Sequence, residues 1–169
     1  RRVLFRSVAA YDGRFSWGWW LLGLVAGCAV HLGLNIANDL SDDVTGADAA
    51  NVTPTPFSGG SRVMQYGLVS RTAMQRACAA CYGVAIVLGL VMVAARGTAL
   101  LWIGLVGVVL SLQYTGAPLR LVYRGLGEPV TALGFGPIMT IGAYEVCAQG
   151  WSWPAIYASL PVAILIALV

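Results

Sequence analysis

Charge is what this chain has least of. Only 10% of its 169 residues are Asp, Glu, Lys or Arg, where a soluble domain carries about 25%. With 59% hydrophobic residues and a mean hydropathy of +0.78, a water-soluble globule is excluded, and an integral membrane protein with the lipid bilayer as partner is predicted. Histidine occurs once, at His31, and the four cysteines form no metal-binding pattern. Cys78 and Cys81 have redox spacing but lie in an apolar helical run without the strand and turn such motifs need, so packing is expected of them. A soft-metal centre is thereby excluded. No internal repeat or low-complexity tract divides the chain, so one domain is expected. Net charge is equally uninformative. Removing Arg1, Arg2 and Arg6 from the ten cationic residues leaves seven against seven acids, and no nucleic acid is expected as a partner. Those three arginines lie in Arg1–Ser7, which matches the in-frame translation of a common sequencing-adapter end and is read as a scar outside the fold.

What is present is a series of apolar runs. Trp17 to Leu34 is long enough to span a bilayer and opens on Trp17, Trp19 and Trp20 as an interfacial anchor. Further spans are predicted from Arg71 to Ala95, Ala99 to Tyr114, Pro129 to Cys147 and from Pro154 onward. The fold class is therefore all-α, a polytopic transmembrane bundle with about five membrane helices. Val169 stands inside an apolar run, and the sequence is expected to be a fragment truncated at both ends, with 8–169 as a partial domain. Between the spans lie two polar loops, Asp43 to Val69 and Thr115 to Gly127, on the same side of the membrane. Arg62, Arg71, Arg76, Arg120 and Arg124 belong to that side, and Arg14 and Arg96 to the other. The positive-inside rule then places the polar loops in the cytoplasm.

The remaining acids are not scattered. Four of the five aspartates fall in Asn35–Asp48. At about 3.6 residues per turn, Asn35, Asn38, Asp39 and Asp42 share one helix face. Carboxylate and amide oxygens grouped in this way suit a hard cation such as Mg2+, which takes one or two carboxylates plus phosphate oxygens and water. Acids are also unfavourable at a helix C-terminus, and a bound cation would offset that. An EF-hand is excluded, because setting Gly46 at its sixth position puts Val52 where a bidentate Glu is required. Arg62, Arg120 and Arg124 could donate to diphosphate oxygens through the planar guanidinium. Arg120 and Arg124 would share a face if their segment were helical. His31, one turn deeper on the stripe, is expected to be a neutral histidine hydrogen-bonded inside the bundle. Arg71 and Arg76 are read as topological charges. Asn51-Val52-Thr53 matches a glycosylation sequon but would stay unmodified on a cytoplasmic loop.

Asn38-Asp39-x-x-Asp42, continued by Gly46 and Asp48, resembles the first Asp-rich motif of the UbiA superfamily of membrane prenyltransferases. Pro56-Phe57-Ser58-Gly59-Gly60-Ser61-Arg62 and the run from Tyr114 through Tyr123-Arg124-Gly125-Leu126-Gly127-Glu128 are similar to the branch acting on 1,4-dihydroxy-2-naphthoate in menaquinone synthesis. The resemblance implies a nine-helix bundle of which the second to sixth helices are present, with a second Asp-rich motif beyond Val169. It implies a Mg2+-dependent transfer of a polyprenyl group from a polyprenyl diphosphate to an aromatic acceptor. Asn38, Asp42 and Asp48 would hold the metal, Asp39, Asp42 and Tyr114 would serve catalysis, and Arg62, Arg120 and Arg124 would bind diphosphate. A bacterial cell membrane is the expected location. Another acceptor within the superfamily, or an ion or phosphate transporter, remains as an alternative reading.

Overall fold

The computed structural model describes the backbone of residues 4–51 and 60–168, and their side chains apart from those of residues 4–7, 48 and 49. All regular structure in these residues is helical. The order is α1 (Leu4–Tyr11), α2 (Trp17–Thr45), α3 (Ala47–Ala50), α4 (Arg71–Arg96), α5 (Ala99–Thr115), a 3-10 turn (Leu121–Arg124), α6 (Gly127–Leu133), a π turn (Gly134–Ile138), α7 (Met139–Ala148) and α8 (Trp153–Ala167).

Three helical stretches among the described residues are long and apolar enough to cross a membrane: α2, α4 and the continuous Gly127–Ala148. The remaining two predicted spans correspond to shorter apolar helices, α5 and α8, of 17 and 15 residues. Large apolar side chains such as Val87, Trp102, Leu105 and Ile164 point outward, as expected where the solvent is lipid.

α2 is the element on which the others assemble. Its 29 residues amount to about 43 Å of helix, whereas the hydrocarbon core is about 30 Å thick. The helix therefore outruns the bilayer, and the surplus is its acidic end. The sequence predicts the end of the span at Leu34 and a loop from Asp43. The helix instead continues to Thr45 and stops at Gly46, whose left-handed backbone (φ 76°, ψ 10°) lets its N–H cap the Asp42 carbonyl. α4 packs along α2 more extensively than any other pair. A Cβ on Gly33 would stand 3.0 Å from the Tyr82 ring, so the two backbones approach as small residues allow. Tyr82 then bonds Ser111 at 2.6 Å, fastening α4 to α5.

The tight core lies at the end opposite the acids. Ala9, Tyr144, Cys147, Ala148 and Ala155 form one buried group and Ala26, Met92, Leu100 and Val146 another. Arg96 closes this end: its Nε donates to the Val146 carbonyl at 2.8 Å and its Nη2 to the Cys147 carbonyl at 2.6 Å, with the guanidinium 5.3 Å from the Trp19 ring centre. It thus neutralises the C-terminus of α7. Sequence alone marks Arg96 only as a charge on the far side. Replacing it with Met should destabilise the protein by about 2–4 kcal/mol, the sum expected for charged hydrogen bonds and stacking. Loss of the monodisperse species at a lower temperature than wild type is the readout.

Pro137 explains the π turn. It has no N–H to give and its ring collides with the preceding turn, so the helix widens and Met139 N–H reaches back to Gly134 O. The widened turn seats α8 against Gly136.

Candidate functional site

Three separate segments converge on the projecting end of α2. From α5, the Thr115 hydroxyl donates to Asn38 Oδ1 at 2.8 Å, while Ser41 Oγ donates to the Thr115 carbonyl at 3.2 Å. From the 3-10 turn, Tyr123 OH donates to Asp42 Oδ1 at 2.8 Å, with Thr45 Oγ1 3.5 Å from the phenol. From the chain preceding α4, the Ser61 N–H donates to Asp39 Oδ1 at 3.3 Å and its hydroxyl donates to Asp39 Oδ2. Asn38, Asp39 and Asp42 thus stand on one face, as the periodicity predicts, and each is oriented by a hydroxyl from elsewhere.

The charges are not balanced in the same way. Asp43 is paired with Arg71 at 2.5 Å, so Arg71, read from sequence as topological, also has a specific partner. This pair is solvent-exposed and contributes little stability. Among the described residues, neither Asp39 nor Asp42 forms an ion pair. Two uncompensated carboxylates at a helix C-terminus are electrostatically unfavourable without a cation.

Tyr123 remains a donor throughout the neutral range. The Thr45 hydrogen bond lowers its pKa, but burial together with the bond to Asp42 and the charge of Asp42 outweighs it, leaving the pKa above the usual phenol value of about 10.

The donor set fits a hard divalent ion. All its atoms are oxygens, and among the described residues no cationic side chain competes for Asp39 or Asp42. Nor do any three His, Cys, Asp or Glu side chains converge among those residues. Two carboxylates and an amide oxygen on one helix face would supply only part of a hard divalent ion's shell, the rest falling to water and phosphate. Asp48 falls in α3, but its side chain is outside the described residues. The loop segment Pro56–Gly59 is also outside them.

The arginines behave differently from one another. Arg62 Nη2 donates to the Asn51 carbonyl at 2.5 Å, joining the two ends of the loop. Arg120 and Arg124 are exposed. They do not share an α-helical face, because Arg120 has a left-handed backbone (φ 47°, ψ 56°) that opens a 3-10 turn rather than an α-helix. Arg62 (φ 54°) and Arg120 are two of the three non-glycine residues with positive φ among the described residues. Such conformations cost on the order of 1–3 kcal/mol and are frequent where side chains are aimed at ligands.

Next to the polar stripe lies a cavity of about 430 Å³, lined by His31, Tyr114, Glu128, Thr131 and Phe135 together with apolar groups of the turn and of α8. Tyr114 precedes Thr115, and Val122 in the cavity wall precedes Tyr123, so the chain neighbours of the residues orienting Asn38 and Asp42 shape the cavity. Gly127 is needed there: a Cβ would stand 3.2 Å from Val122 Cγ2 and 3.4 Å from Tyr114 OH. His31 is hydrogen-bonded as expected, but within its own helix and at an exposed position rather than inside the bundle. It is exposed to the cavity, accepts from Asn35 Nδ2 at 3.3 Å and meets Phe135 edge to face.

Thr115, Ser61 and Tyr123 each lie in or beside a polar loop, but nothing in their local sequence gives any of them an individual role. Their local signal is weak, since hydroxyl residues are ordinary in loops.

Comparison with known proteins bears on the chain as a whole. The model of the UbiA prenyltransferase family matches residues 3–169. A 1,4-dihydroxy-2-naphthoate octaprenyltransferase of Bacillus subtilis is 29% identical over 137 residues, covering 81% of this chain and 42% of that protein. A 2-carboxy-1,4-naphthoquinone phytyltransferase of Synechocystis is 29% identical over 168 residues, 95% of this chain and 52% of that protein. A 1,4-dihydroxy-2-naphthoate octaprenyltransferase of Mycobacterium tuberculosis is 28% identical over 152 residues, 86% and 50% of the two chains. The chain spans about half the length of the curated relatives it matches. No solved structure matches. With helices, polar stripe and family match in agreement over nearly its whole length, the chain belongs to the UbiA prenyltransferase family.

Proposed function

We propose that this chain contributes the first acidic half-site of a Mg2+-dependent enzyme that transfers a polyprenyl group from its diphosphate to an aromatic acceptor, 1,4-dihydroxy-2-naphthoate. The observation that carries the proposal is the pair Asp39 and Asp42, oriented by Ser61 and Tyr123 but without a cationic partner among the described residues, beside a cavity with an aromatic and aliphatic wall. The names of the relatives support the acceptor. The activity is assigned to an intact protein of the relatives' length.

In this reading Asn38, Asp42 and Asp48 hold the metal, with Asp39 beside them. Bound there, Mg2+ supplies positive charge to the diphosphate leaving group. Arg62, Arg120 and Arg124 donate to the diphosphate oxygens, spreading the charge that grows as the allylic carbon–oxygen bond breaks. Tyr114 and the apolar wall keep water from the allylic cation, and the electron-rich ring attacks it. With the naphthoate, the ring carbon that attacks the allylic cation loses its carboxylate as carbon dioxide, and the electrons of that broken bond restore aromaticity. The acidic end of α2 faces the cytoplasm of a bacterial cell, the side to which the loop arginines assign it.

The test is turnover by the intact protein with one polyprenyl diphosphate and a panel of acceptors, with and without Mg2+. Prenylation of 1,4-dihydroxy-2-naphthoate, abolished by chelation, is expected; exclusive use of 4-hydroxybenzoate would reject the acceptor. Tyr123→Phe deletes the hydrogen bond to Asp42. It should weaken Mg2+ activation and Mn2+ binding about tenfold, the range seen when groups orienting metal ligands are removed. Mn2+ titration followed by electron paramagnetic resonance checks this directly.

A further inference from the structure

His31 occupies the boundary between the polar stripe and the cavity. Asn35 Nδ2 donates to the His31 carbonyl at 3.0 Å and contacts the ring Nε2 at 3.3 Å. An amide NH2 can only donate, so Nε2 accepts and the proton of the neutral ring lies on Nδ1. Nδ1 has no hydrogen-bond partner among the described residues. Phe135, with its ring centre 5.3 Å away and an interplanar angle of 84°, fixes the imidazole plane. Both rings line the cavity of about 430 Å³ with Tyr114 and Glu128, a volume within the usual range of about 300–1,000 Å³ for small-molecule pockets.

The wall therefore combines an imidazole N–H donor, a phenol and a carboxylate with aromatic and aliphatic surface. A polyprenyl tail offers nothing to the polar groups, and covering them with it would leave them unpaired, which is unfavourable. A hydroxylated aromatic ring satisfies both kinds of lining: its faces meet the apolar wall and its oxygens meet the donors and acceptors. We infer that His31 is a specificity-determining residue that binds the aromatic acceptor, donating from Nδ1 to one of its oxygens. The inference rests on the prenyl-transfer reading above and adds to it which wall of the site reads the acceptor.

The experiment uses the intact protein in lipid nanodiscs, with His31→Ala and His31→Gln. Binding of 1,4-dihydroxy-2-naphthoate is followed anaerobically by its own fluorescence without prenyl diphosphate, and KM is then measured for each substrate. His31→Ala should raise the acceptor Kd and KM about tenfold, as for loss of one well-placed hydrogen bond, with the prenyl diphosphate KM unchanged. His31→Gln, which retains an N–H donor, should recover most of the loss. An unchanged acceptor Kd in His31→Ala, or a rise confined to the prenyl diphosphate KM, overturns the inference. Should His31→Ala fail to fold, Asn35→Leu, which releases Nε2 and the tautomer, should raise the acceptor Kd about threefold; no rise overturns the inference equally. If wild type prenylates no hydroxylated aromatic, the prenyl-transfer reading falls and takes this one with it. If wild type turns over and the acceptor constants do not move, only the role of His31 falls.

Discussion

Asp42→Asn in the intact protein should lower prenyl transfer about a thousandfold, the upper range for removing one preorganised electrostatic group from a reaction that develops charge. The substitution is nearly isosteric, and the amide oxygen it introduces can still accept from Tyr123, whose hydroxyl donates to Asp42 Oδ1 at 2.8 Å. What disappears is the negative charge, so the loss should appear in Mn2+ binding as well as in turnover. Asp43→Asn is the matched control. Asp43 lies one residue on but is already paired with Arg71, and an exposed pair of this kind contributes at most about 1 kcal/mol. Activity close to wild type is expected from it. Equal losses in the two variants would mean that the acids act only through general surface charge, and an active Asp42→Asn would remove the basis of the proposed mechanism.

The second large effect is on folding. Gly136→Val should prevent α8 from seating, because a Cβ at position 136 would lie 2.5 Å from Ala163 Cβ and 3.1 Å from its Cα. One contact is to backbone, so no rotamer change relieves it, and overpacking of this severity costs about 3 kcal/mol or more. The expected result is loss of monodisperse protein after extraction. Gly134→Ala, two residues earlier, has nothing within 4 Å of the new Cβ and should be tolerated. Gly136→Ala combined with Ala163→Gly should be more stable than Gly136→Ala alone, and a cycle across the pair measures the coupling. Full stability of Gly136→Val would refute the packing of α8 on the π turn.

The polar stripe was legible in the sequence because helical periodicity is local: residues three and four apart share a face whatever surrounds them. Membrane insertion was legible for a similar reason, since it follows from composition and run length. The mutual placement of Arg120 and Arg124 was not. It hinged on the backbone at Arg120, and a left-handed non-glycine residue carries no compositional signal. The π turn was half legible: a proline within a helical run disturbs it, but the sequence does not say whether the helix ends there or, as the structure has it, widens at Pro137 and continues.

The sequence by itself determined that this chain crosses a membrane as helices and gathers carboxylate and amide side chains on one face at the end of a span. The tertiary structure alone decided that Thr115 and Tyr123 orient Asn38 and Asp42 across separations of 77 and 81 residues, and that His31 opens onto a cavity. Local pattern fixes which side chains share a face of one helix. The partners those side chains meet depend on how close other helices approach, and that distance is set by glycines and alanines at the crossings rather than by the polar residues themselves.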